Sequence, residues 1–259
     1  VFKPAGFGVL LLRPLLEAFR DAFPPGVVNT VYGDGPTIIG PIMQSGRVDC
    51  LAFIGSCKVA DILKHQHPAP HRLRSVLGLG AKNAGIVMPD ADLDTTVAEC
   101  VTGSLSFNGQ RCTALKILFV HESVVDEFLS RLVRGVEALP FGMPWDAGVR
   151  ITPLPVPGKP ADLAGWVDEA VKAGGRVLNA EGGTGQGTYM HPAVVYPVAP
   201  GTRLYDREQF GPVVPVVSFK RLDEPVDYVV RSHYGQQVSL FGRDPSTLAQ
   251  LVDPLVNQV

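Results

Sequence analysis

Short apolar runs alternate with helix-period segments through most of the chain. Residues 27–32 (Val-Val-Asn-Thr-Val-Tyr) are β-branched between two glycines and predict a strand. Residues 36–43 predict a helix with Pro36 in its first turn, although Gly40-Pro41 argues against its continuity. Strand patterns follow at 48–54 and 75–80, with a helix between them opened by Gly55-Ser56 and running to about Lys64. A second series begins with a strand at 84–88 and a helix at 92–107, whose acidic start suits the helix dipole. Residues 114–120 form a strand pattern, and 122–138 an amphipathic helix with Val125, Phe128, Leu129, Leu132 and Val136 on one side. Residues 140–160 carry six prolines and read as a surface excursion. Helices at 161–173, 223–231 and 245–255 alternate with strands at 213–219 and 237–241. Strand and helix at this spacing predict a parallel α/β sheet, with a boundary near residue 80 dividing units 1–80 and 81–259.

Composition narrows the class. The 259 residues are 46% hydrophobic and carry a net charge of −2, so no basic excess is available for a nucleic-acid backbone. The greasiest stretch, 7–19, is broken by Arg13, Pro14 and Glu17 and falls short of the ~20 apolar residues of a membrane span. Four cysteines without a CxxC, and no leader pattern, predict a reducing, cytoplasmic setting. The chain opens on Val1 and ends in an apolar run, which reads as a piece of a longer protein.

Cys112 is the sharpest candidate for chemistry. It lies between a helix end and a strand, beside Arg111, whose cation would favour a thiolate. From the loop alone, a buried structural thiol is the better explanation. The turn Phe53-Ile54-Gly55-Ser56 runs from strand into helix and could hold a phosphate, or Ser56 is an ordinary N-cap. His65, His67 and His71 lack a nearby acidic or Cys partner and read as surface residues, not a metal site. Residues 90–94 lack the glycine and closing Glu of a calcium loop.

Together, four segments resemble the aldehyde dehydrogenase superfamily: Lys3-Pro4-Ala5, Phe53-Ile54-Gly55-Ser56, Gly109-Gln110-Arg111-Cys112 and Glu208-Gln209-Phe210-Gly211-Pro212. Within it, Gly-Gln-Arg-Cys-Thr-Ala is most similar to non-phosphorylating, NADP-dependent glyceraldehyde-3-phosphate dehydrogenases. The resemblance implies a partial Rossmann-type cofactor domain over 1–80 and an α/β catalytic domain over 81–259. It makes Cys112 the nucleophile. Lys3 would meet the adenosine ribose or its 2′-phosphate, and Ser56 the pyrophosphate. Glu208 would bond the nicotinamide ribose, Phe210 would pack at the nicotinamide end, and Arg111 would hold a substrate phosphate. Gly6 stands where many NAD-preferring relatives carry Glu, which favours NADP over NAD. The implied partners are a small aldehyde and, for the full-length protein, further copies of itself.

The sequence departs from the pattern at one decisive place. Gly78-Leu79-Gly80-Ala81-Lys82 matches a Glu-Leu-Gly-Gly-Lys segment, so Gly78 replaces the general base. Deacylation of a thioester would then stall, or coenzyme A would accept the acyl group, or the protein is a non-catalytic relative, or one base change altered this copy. The resemblance also puts an Asn oxyanion donor and a funnel-closing region outside this sequence, so this stretch alone is expected to turn over little.

Overall fold

The structure is a computed structural model and describes residues 1–235 and 237–255. The chain divides into two units, Val1–Gly80 and Ala81–Val259.

In the first unit a 3₁₀ turn, Val9–Leu12, leads into helix α1 (Arg13–Ala22), with Pro14 in its first turn. The sequence reading names no helix here, although Leu15, Leu16 and Phe19 fall at helical spacing among polar residues. Helix α2 (Gly35–Gln44) is capped by Asp34, whose side chain accepts from the Thr37 N–H at 3.4 Å, and it continues through Pro41. Strand β1 (Cys50–Ile54), helix α3 (Cys57–Gln66) and strand β2 (Arg74–Gly78) form a parallel crossover, paired from Cys50↔Arg74 to Ile54↔Gly78. Met43, Leu51 and Leu63 make its core.

Two expectations fail here. Residues 27–32 form no strand; they make one parallel bridge, Phe2↔Thr30. The N–H of Phe2 donates to Asn29 O and the N–H of Val31 to Phe2 O, but the partner segment then reaches Pro4, which has no N–H to extend a ladder. His67 is not a surface residue. It is buried, and its Nδ1 accepts from the Ala69 N–H at 3.1 Å; His65 and His71 are exposed.

The second unit is built on strands β3 (Ala84–Val87) and β4 (Ile117–His121), joined by helix α4 (Leu93–Leu105) and followed by helices α5 (Val125–Glu137) and α6 (Lys159–Lys172). Next come β5 (Arg176–Val177), a small hairpin of β6 (Gly185–Gln186) and β7 (Tyr189–Met190), β8 (Ala193–Tyr196), a short helix α7 (Arg203–Asp206) and β9 (Val213–Phe219). Helix α8 (Asp223–Arg231), β10 (Val238–Phe241) and helix α9 (Pro245–Leu255) complete it. Six strands lie in the order β10-β3-β4-β9-β8-β5, parallel except for β5 against β8.

The central strands β3 and β4 are buried on both faces, so they read as continuous apolar runs. The Asp92 side chain caps α4 by accepting from the Thr95 N–H at 3.0 Å, which explains the acidic start as a helix device. Helix α5 buries Val125, Phe128, Leu129, Leu132 and Val136, the stripe that periodicity marked. The proline-rich segment is not wholly a surface excursion. Ile151 and Leu154 are buried, and Phe141 bridges to Ile151. Strands β5 to β8 were missed because they span two to four residues each, too few for a period to register.

Candidate active site

The loop that carries Cys112 begins where α4 gives way to a 3₁₀ turn at Ser106–Gly109. Phe107, Asn108 and Gly109 take φ of 53°, 58° and 67°, three successive left-handed residues. For Phe107 and Asn108 that conformation carries strain, which the surroundings must hold. Asn108 does so from both ends of its amide: Nδ2 donates to Thr152 Oγ1 at 3.0 Å, and Oδ1 accepts from the Thr152 N–H at 2.9 Å. At Gly109 a Cβ would lie 2.6 Å from Gly211 O and 2.8 Å from Ser104 O, so only glycine fits.

Cys112 follows, and it is exposed. This overturns the loop-only preference for a buried thiol. The buried thiol is Cys100, which desolvation pushes up in pKa. The Cys112 N–H makes no hydrogen bond among the described residues, while the carbonyls around it are tied down. Asn83 Nδ2 donates to Cys112 O at 2.7 Å and to Ala114 O at 2.9 Å. Gln237 Nε2 donates to Thr113 O at 2.8 Å, and the Gln237 N–H donates to Asn83 Oδ1 at 3.3 Å. The loop is thus fixed through its C=O groups, and an N–H is left for an oxyanion.

Beneath the loop lies Lys116, fully buried at 1% exposure. Its Nζ donates to Gly109 O at 2.7 Å, stands 3.8 Å from Glu208 Oε1 and lies 4.9 Å from the centre of the Phe210 ring. Burial lowers the Lys116 pKa to about 8, opposed by the negative charges of Glu208 and Cys112. Burial also raises the Glu208 pKa, with Lys116 and a backbone hydrogen bond from Ala81 pulling the other way. Glu208 Oε1 is buried without a hydrogen-bond partner among the described residues. An orphaned acceptor of this kind suits a ribose hydroxyl donor, the group expected there from a nicotinamide dinucleotide.

A second buried lysine supports this layer. Lys82 Nζ donates to Lys116 O at 3.0 Å, Leu204 O at 2.9 Å and Gln209 Oε1 at 2.6 Å, which uses all three of its donors. Gln209 Nε2 in turn donates to Lys116 O at 2.7 Å and Val213 O at 2.9 Å.

Of the residues marked from sequence, Glu208 and Phe210 flank Lys116 in the second unit, and Cys112 acts on it electrostatically. Arg111 is exposed, with its guanidinium 5.3 Å from the centre of the Phe107 ring. In the first unit Ser56 is exposed and caps α3, its Oγ accepting from the Val59 N–H at 3.4 Å. Lys3 is half-buried, and Gly6 is exposed with open space where a Cβ would stand. Gly78 is exposed at the end of β2, its carbonyl accepting from the Gly55 N–H at 3.0 Å. A Cβ there would meet only Ile54, at an ordinary 3.4 Å, so the backbone does not demand glycine.

Lys116, Asn83 and Gln237 escaped the sequence reading. The first sits at the mouth of an apolar strand, and the other two are polar residues flanking strands, with no local pattern to join them. Among the described residues no cluster of three or more His, Cys, Asp or Glu could hold a metal, and no helix is long and apolar enough to cross a membrane.

Comparison with known proteins agrees with this architecture. Cytosolic aldehyde dehydrogenase 1 of Elephantulus edwardii is 34% identical over 246 residues, which cover 94% of this chain and 49% of that protein. The NADP-dependent glyceraldehyde-3-phosphate dehydrogenase of Bacillus halodurans C-125, solved with NADP, superimposes with a TM-score of 0.90 at 32% identity, covering 98% of this chain and 52% of that one. The succinate-semialdehyde dehydrogenase of Burkholderia pseudomallei gives a TM-score of 0.91 at 30% identity, covering 98% and 53%. The chain spans about half the length of the curated relatives it matches. The profile of the aldehyde dehydrogenase family matches residues 1–256, and the chain belongs to that family.

Proposed function

We propose that the protein oxidises an aldehyde to the acid with NAD(P), through a thioester on Cys112. The observation that carries this reading is the exposed Cys112, its N–H unengaged among the described residues, in a loop held in left-handed conformation over the buried Lys116 and its half-buried partner Glu208. The Cys112 thiolate attacks the carbonyl carbon, forming a C–S bond, and the oxygen takes up the electron pair beside the Cys112 N–H. Loss of hydride from that carbon leaves the thioester. Water then breaks the C–S bond, releasing the acid and the thiol. A bound nicotinamide dinucleotide supplies the hydride acceptor.

Glu208 and Phe210 serve the nicotinamide end, Lys3 the adenosine ribose or its 2′-phosphate, and Ser56 the pyrophosphate. NADP is the preferred cofactor, because Gly6 places no carboxylate against a 2′-phosphate. Arg111 recognises an anionic substrate, with glyceraldehyde 3-phosphate the leading candidate. Its stacking on Phe107 leaves the guanidinium exposed and able to form a bidentate contact.

One observation favours a second reading. Gly78 offers no carboxylate to activate water, although a Cβ at that position would meet only the Ile54 side chain at an ordinary distance. Slow hydrolysis, or transfer of the acyl group to coenzyme A, follows from that lack. Site-resolved thiol labelling tests the proposal: Cys112 should react at least tenfold faster than Cys50, Cys57 or Cys100, and an aldehyde substrate should protect it. Equal labelling of Cys112 and the accessible Cys50 would refute it.

A further inference from the structure

Lys116 performs no step of the proposed reaction, yet it is among the largest fully buried side chains of the protein. A buried ammonium is costly unless its donors are used. Lys82 uses three, whereas among the described residues Lys116 Nζ makes one hydrogen bond, to Gly109 O. Its other neighbours are the Glu208 carboxylate at 3.8 Å and the face of Phe210. It lies four residues after Cys112, and its one hydrogen bond goes to the residue three before Cys112, so the nucleophile is bracketed by this contact.

We propose that Lys116 is a positioning residue for the nucleophile: its buried ammonium favours the Cys112 thiolate and holds the Glu208 carboxylate beside it. The proposal rests on Cys112 being the nucleophile. Its logic is electrostatic. A cation shielded from water acts on a nearby thiolate far more strongly than an exposed one does. Arg111, adjacent in sequence, is solvated and stacked on Phe107, so its charge is screened.

The charged groups that act on Lys116 are Glu208 and Cys112, which favour its ammonium, and Lys82 and Lys159, which oppose it. Burial is the largest influence and brings the ammonium to a pKa of about 8, so it is charged at neutral pH and discharges above that. The thiolate-favouring field is therefore present through the physiological range and fades in mild alkali.

The test is the rate of iodoacetamide alkylation at Cys112 between pH 5 and 10, read by peptide mass spectrometry, with Cys50 and Cys57 as internal references. Lys116→Gln keeps a donor for Gly109 O and removes the charge. It should slow Cys112 alkylation near pH 7 about tenfold relative to the reference cysteines. Lys116→Arg should restore most of that rate. Circular dichroism and thermal melting establish that each variant is folded, and the reference cysteines should keep their wild-type rates. A Cys112 profile in folded Lys116→Gln that superimposes on wild type would overturn the proposal. If wild-type Cys112 labels no faster than Cys50, the nucleophile reading falls first and this one with it.

Discussion

At the scale of single residues, the site joins one side chain that the sequence announces to one that it conceals. Cys112 stands out because Gly-Gln-Arg-Cys is a compact motif next to a strand, and Glu208 because Phe and Gly-Pro follow it. Lys116 is a lysine before an apolar run, and nothing local distinguishes a buried ammonium from a solvated one. The consequence is measurable in stability. Burial depresses its pKa in the folded state to about 8, while the unfolded side chain keeps about 10.4. Between those values the unfolded state binds more protons, so unfolding free energy rises with pH from about 8 to about 10, by up to ~3 kcal/mol. Lys82, also depressed by burial, adds a slope of the same sign. Denaturant unfolding across pH 7–10.5 should show the gain in wild type and a smaller one in Lys116→Met. Identical slopes would contradict the burial of this ammonium.

At the scale of elements, the loop between α4 and β4 is clamped by two residues that precede neighbouring strands of the sheet. Asn83 comes just before β3 and Gln237 just before β10, and these two strands pair in parallel. The pairing brings both amides to the carbonyls of residues 112–114. Replacing Asn83 by Leu would orphan two of those carbonyls, at ~1–3 kcal/mol each where water cannot reach them. Asn83→Leu should lower kcat/KM at least tenfold, and amide exchange should quicken at residues 110–115 while β9 stays protected. An unchanged loop with unchanged kinetics would sink the clamp.

The alternation of α5, the cap of α4 and the buried runs of β3, β4 and β9 were legible because each is long enough to express its period or carries a capping residue. Residues 27–32 misled, because β-branching shows that a segment tolerates extension but not that a partner strand exists. Strand β8 failed to register for the opposite reason: its four residues lie deep in the sheet between β5 and β9, and only tertiary pairing defines them.

At the scale of the whole molecule, the two units differ in how much they bury. The second unit carries three apolar clusters around a six-stranded sheet. The first has a small core and a two-stranded sheet, with Leu10, Leu11, Ile54 and Val76 exposed. Such a sheet draws little stability from its own burial. Gly78 ends that sheet, and the central functional claim turns on it: the Cys112 chemistry is intact, and release of the acyl group is what lacks a base. The most direct measurement is rapid mixing of the whole protein with NADP and glyceraldehyde 3-phosphate, followed by NADPH absorbance. The expected result is a burst near one equivalent per Cys112 followed by slow turnover, abolition of the burst in Cys112→Ala, and faster steady-state turnover in Gly78→Glu. A burst that survives in Cys112→Ala, or no burst with any aldehyde in a broad panel, would contradict it.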